Sequence, residues 1–110
     1  MEIMEIVDKM CDKDSKDYKY LNNTDSARKL MNIVNVPQNA EIIKILFDLG
    51  KQVRIYFNIP NDSHCYGLYA GHLEDGTENI ELCIVGKKRN GKVYFNKRKN
   101  LCLDYFKNKK

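Results

Sequence analysis

Glu41-Ile42-Ile43-Lys44-Ile45-Leu46-Phe47-Asp48-Leu49-Gly50, followed by Lys51-Gln52-Val53-Arg54-Ile55-Tyr56-Phe57-Asn58, is the stretch over which the chain changes period. Before Gly50, Ile42, Ile45, Leu46 and Leu49 recur at the spacing of one helix face. Pro37 suits the first turn of such a helix, Glu41 places negative charge near its amino end, and Gly50 supplies a left-handed stop. A helix between Pro37 and Gly50 is therefore expected. After Gly50, Val53, Ile55 and Phe57 alternate with Arg54, Tyr56 and Asn58, which is the period of a strand with one face inward.

Toward the amino end, two further helices are expected. Ile3, Met4, Val7 and Met10 or Cys11 form one apolar stripe. Thr24 or Asp25 can cap a second helix carrying Ala27, Leu30, Met31 and Val34, which should end near Asn35 or Val36 because Pro37 disfavours helical geometry before it. The polar stretch 12–23, anchored only by Tyr18, Tyr20 and Leu21, reads as a connector.

Toward the carboxyl end the signals are those of strands. Pro60-Asn61-Asp62-Ser63 breaks the first strand, Gly67 and Gly71 bend the second, and Glu74-Asp75-Gly76-Thr77 turns into a third carrying Ile80, Leu82 and Ile84. Asn90-Gly91 suits a two-residue type I′ hairpin, which sets Arg89 opposite Lys92, Lys87 opposite Tyr94 and Val85 opposite Asn96. Leu101 to Phe106 reads as a fifth strand. The expected fold is α+β: about three helices in 1–50, then a five-stranded antiparallel, strongly bent sheet or small barrel in 51–106, and a basic tail at 107–110. With 110 residues, one domain is expected.

Hydrophobic residues at 43% and charged residues at 31% give an ordinary globular balance. No apolar run approaches the ~20 residues of a membrane span, and Met1-Glu2-Ile3-Met4-Glu5 is acidic where a signal peptide needs a basic segment. A cytoplasmic protein without membrane contact is expected. Cys11, Cys65, Cys83 and Cys102 lack the close spacing of zinc or redox motifs and read as reduced, mostly buried thiols. His64 and Cys65, as neighbours in an extended chain, point to opposite faces, so no metal site is expected there. Ser63-His64-Cys65 fails as a catalytic group for the same reason, and no carboxylate pair or phosphate-cradling loop stands out. A binding protein, without enzymatic activity or cofactor, is the expectation.

Charge placement says what it would bind. From Lys87 onward ten Lys and Arg face one acid, Asp104, a balance of +9; the whole chain is +4, so residues 1–86 carry −5. Lys87, Lys88, Arg89 and Lys92 surround the hairpin tip, Lys97, Arg98 and Lys99 fall in what reads as the next turn, and Tyr94 and Tyr105 lie among them. Clustered cations attract phosphates and aromatic faces stack on bases, so nucleic acid, RNA or DNA, is the expected partner. Exposed turns solubilised by lysine give the same pattern, and an acidic protein surface would also be attracted. A helix-turn-helix over Ala27 to Gly50 is disfavoured because Glu41, Lys44 and Asp48 give its recognition helix a negative face. A second expectation is a small inhibitor or adaptor of a mobile genetic element, docking on a host protein. Small size, charge asymmetry and a Lys, Asn and Ile bias typical of AT-rich genomes suit it. A homo-oligomer is compatible with either.

The segment Gly71-x-Leu73-x-Asp75-x-x-x-Asn79-x-x-Leu82, between one helix and bent strands, resembles the first signature of the Sm-like family of small RNA-binding barrels. The resemblance covers roughly residues 50–106. It implies a small barrel, with Asn79 and either Lys97 or Arg98 as RNA contacts. The family's Arg-Gly pair before the last strand corresponds here to Asn96-Lys97-Arg98-Lys99-Asn100, which has the basic pair and no glycine.

Overall fold

The computed structural model describes residues 2–10, 19–20, 24–47, 52–89 and 92–101, with side chains placed no further than Lys87. The elements are α1 (Glu2–Met10), β1 (Lys19–Tyr20), α2 (Thr24–Ile33), β2 (Glu41–Phe47), β3 (Val53–Asn58), β4 (His64–His72), β5 (Glu78–Arg89) and β6 (Lys92–Leu101). The strands form one antiparallel sheet in the order β1-β2-β3-β4-β5-β6, a meander in which each strand pairs with its chain neighbours. No described helix is long and apolar enough to cross a membrane.

Both helices lie against one face of the sheet. Val7 of α1 and Ala27, Leu30 and Met31 of α2 share a core with Ile45, Phe47, Val53, Ile55, Phe57, Tyr66, Leu68, Ala70 and Leu82. Every second residue of β3 therefore points inward. At ~1.5–3 kcal/mol for each fully buried aliphatic side chain, this layer dominates stability.

α2 ends in a Schellman motif. The amide of Val36 donates to the carbonyl of Met31 at 2.9 Å, that of Asn35 donates to Asn32 at 3.1 Å, and Asn35 itself is left-handed at φ 62°. Val36 and Met31, the two ends of the bond that spans five residues, are both buried. Pro37 then starts a turn closed by Ala40 donating to its carbonyl at 3.0 Å, and the chain enters a strand.

The expected third helix does not form: Glu41–Phe47 is β2, paired along β3 from Glu41↔Asn58 to Phe47↔Val53. The cause of the misleading spacing is a β-bulge between Ile42 and Lys44. One extra residue, Ile43, is pushed out to 47% exposure, so that Ile42 and Ile45, three apart, both pack inward. Three β-branched residues in seven also favour an extended chain. Leu49 and Gly50, which were to close that helix, lie outside the described residues. With β2 a strand, the alternative of a helix-turn-helix loses its recognition helix.

Among the described residues, two helices and an open sheet thus replace three helices and a five-stranded sheet or barrel. Strands β2 to β5 carry the core, β1 adds two residues at one margin, and β6 forms the other. Among the described residues β1 and β6 do not pair, so no barrel closes. The expected fifth strand from Leu101 to Phe106 lies, beyond its first residue, outside the described residues.

Candidate functional site

β5 and β6 carry the basic residues. Arg89 pairs with Lys92 and Lys87 with Tyr94 across the ladder, the register expected from the sequence, while Asn90 and Gly91 themselves lie outside the described residues. The expected one-to-one pairing of Val85 with Asn96 does not form. The register shifts between Ile84, which pairs with Lys99, and Gly86, which pairs with Phe95, so that Asn96, Lys97 and Arg98 stand against Val85 alone. Lys97, Arg98 and Lys99 accordingly lie within β6 at this bulge, where a separate turn at the far end of the strand was expected. The polar run Asn96–Asn100 reads as a turn because it lacks apolar alternation, whereas the ladder absorbs the surplus residues locally.

One hairpin therefore holds all eight candidate residues: Lys87, Lys88 and Arg89 on β5, and Lys92, Tyr94, Lys97, Arg98 and Lys99 on β6. The Arg89↔Lys92 and Ile84↔Lys99 pairs lie five steps apart along β5, a run of roughly 17 Å. Lys87 is exposed. Across the ladder with β4 it pairs with His64, a contact that no local sequence pattern encodes.

His64 belongs to a three-residue cluster at the β3–β4 turn. Pro60 and left-handed Asn61 at φ 67° build a type II turn closed by the amide of Asp62 donating to Ile59 at 3.0 Å. Asp62 Oδ1 accepts from the His64 amide at 2.9 Å and lies 3.2 Å from His64 Nδ1, and Oδ2 accepts from the buried hydroxyl of Tyr66. Proline and asparagine at the middle of the turn are legible from sequence; the link from Asp62 to Tyr66 needs the strand direction that only the fold supplies.

The sheet face away from the helices is the second surface of interest. Cys65, Cys83 and Val85 are buried there beneath Tyr56 and Tyr69, and neither cysteine is in a disulfide. The Tyr69 ring folds over Gly67, where a Cβ would sit 3.0 Å from its hydroxyl. It meets Tyr56 edge-on at 6.2 Å, with the Arg54 guanidinium 5.9 Å from its centre. Arg54, Tyr69 and Glu81 form one cross-strand row, and Gly71 pairs with Asn79 in the next. Between the rows, Gln52, Arg54, Tyr69, Gly71, Asn79 and Glu81 line a cleft of about 150 Å³.

The residues that carry the Sm-like resemblance build the β4–β5 connection. Gly76 donates to Leu73 at 2.9 Å and Leu73 to Thr77 at 2.8 Å, with Gly76 left-handed at φ 86°, a three-residue loop with a glycine bulge. Asp75 Oδ1 accepts from the Thr77 amide at 2.9 Å, and hydrogen bonds from the Thr77 side chain and then its amide hold the Asp75 carboxyl below its ordinary value. Among the described residues, no three His, Cys, Asp or Glu side chains gather as metal ligands. Comparison with protein families, with curated proteins and with solved structures finds no match for this chain.

Proposed function

We propose that this is a non-catalytic protein of the cytoplasm that binds nucleic acid through the β5–β6 hairpin. The observation that carries the reading is the placement of seven cations and Tyr94 on two paired strands, with the chain's negative balance in the residues before them. Lysine and arginine at this density gain affinity for phosphates by releasing counterions, and the contact is electrostatic first and selective second. The half-buried tyrosines and Arg54 on the helix-free face add groups that stack on bases.

Replacing Lys88, Arg89 and Lys92 together by glutamate should abolish retention on a polynucleotide column at low salt. Undiminished retention would refute the reading. Nuclease treatment separates it from docking on a host protein: a stoichiometric protein partner that survives nuclease belongs to an inhibitor or adaptor instead.

A further inference from the structure

His64 opens β4 and stands directly opposite Lys87 of β5. Residues paired in this way have their Cβ atoms about 5 Å apart, so the two side chains are neighbours on one face of the sheet. Lys87 is exposed, and the His64 side chain is 36% exposed.

Few other groups face the imidazole. Asp62 reaches it from the β3–β4 turn, with Oδ1 3.2 Å from Nδ1, and the Tyr66 ring meets it edge-on at 6.3 Å. Toward β3 the strand has ended at Asn58, paired with Cys65, and the next residue is the apolar Ile59. Beyond Lys87 stands its β6 partner, Tyr94. Among the described residues, α1 and α2 add no hydrogen bond or ion pair to His64.

Asp62 decides which nitrogen titrates. Its ionised carboxylate only accepts, from the Tyr66 hydroxyl at Oδ2 and from His64 at Oδ1, so Nδ1 carries a hydrogen. Gain and loss of the second proton then fall on Nε2. Without that proton Nε2 is a lone-pair acceptor, which repels a phosphate oxygen; with it, Nε2 is a donor that a phosphate oxygen accepts from. Charge follows the same switch. With the ring neutral, the Asp62 carboxylate offsets Lys87; with the ring charged, the three groups together are positive. Imidazole makes this change between about pH 5 and 8.

We propose that His64 and Lys87 form one phosphate subsite of the nucleic-acid interface, completed when His64 Nε2 takes a proton. The proposal rests on the nucleic-acid reading above and adds to it a residue outside the hairpin and a pH dependence. One proton is taken up from solvent as the phosphate seats. The contact is therefore made as pH falls through the titration of the ring and lost as pH rises through it. A bound phosphate also relieves the repulsion between two cations set opposite each other on the ladder.

The test is fluorescence anisotropy of a short labelled oligouridylate at one ionic strength, at about pH 5.5 and about pH 8. The unsubstituted protein should bind about tenfold more tightly at the lower pH, the low end for one charge-assisted hydrogen bond. His64→Gln should remove that step and hold the weaker affinity at both values. His72→Gln, which alters the other histidine at the far end of β4, should keep it. In the unsubstituted protein, the His64 ring protons followed by NMR should titrate at higher pH with the oligonucleotide bound than without it. Equal affinities at the two pH values, a step that survives His64→Gln or vanishes with His72→Gln, or a titration that the oligonucleotide leaves in place would overturn the subsite and leave the hairpin contact standing. Binding at neither pH in low salt would overturn both.

Discussion

The hydroxyl of Tyr66, a side chain with no exposed surface, donates to the carboxylate of Asp62, four residues earlier in the chain. That bond ties the floor of β4 to the β3–β4 turn, and the same carboxylate holds His64 beside Lys87. The core and the base of the candidate interface therefore share one side chain.

Removing either partner should be felt in stability. Tyr66→Phe deletes one hydrogen bond to a charged acceptor and should cost about 1.5–3 kcal/mol. Asp62→Ala should cost at least as much, because the His64 amide loses its acceptor too. Urea denaturation of both variants measures the difference, and an unchanged midpoint for Tyr66→Phe would show the bond to be idle.

The bulge in β2 makes opposite forecasts for two adjacent-looking isoleucines. Ile43→Thr lies on the exposed position and should change stability by no more than about 0.5 kcal/mol. Ile45→Ala, at 5% exposure, should cost about 2–4 kcal/mol. The two unfolding curves decide the matter, and equal losses would contradict the strand register.

The left-handed Asn35 closes α2. Asn35→Gly should be neutral or mildly stabilising to α2, while Asn35→Ala should lose about 1 kcal/mol to the positive φ. Thermal melts followed by circular dichroism report both.

Asp75 gives a pH dependence of known sign. Its carboxyl is held below the ordinary value by Thr77, so its contribution is complete above the unfolded value of about 4 and is lost as pH falls through the depressed folded value. Asp75→Asn should flatten stability against pH in that acidic window, with the loss appearing above the window, where the ionised carboxylate contributes, and none below it. Denaturant midpoints across the window check it.

The second basic group should act separately from the hairpin tip. Replacing Lys97, Arg98 and Lys99 by glutamine should lower affinity for every polynucleotide alike and reduce the salt slope, by up to about 0.7 per lost single-strand contact. Titrations at several salt concentrations give the slope, and an unaltered one would remove these residues from the contact.

Local chemistry was legible where one residue decides the geometry. Asn90-Gly91 gave the pairing of Lys87 with Tyr94, and Val34 to Pro37 marked the end of α2. It failed where a bulge altered the period: at Ile43 a strand mimicked helical spacing, and at Asn96–Arg98 a strand mimicked a turn. Both are decided by pairing with a distant partner, which no window along the chain contains. The hollow at Gly71 was hidden for the same reason, since Arg54, Tyr69 and Glu81 are neighbours only across the ladder.

β6 is the margin of the open meander, bonded among the described residues to β5 alone. An unprotected margin invites a second molecule to extend the sheet, and a row of lysines is a common deterrent because two such margins repel. A cationic strand at this margin works against such pairing, and on the nucleic-acid reading proposed above a bound polyanion would cancel that repulsion. Crowding several copies onto one nucleic acid would then bring their margins together, so assembly into filaments should depend on the ligand being present.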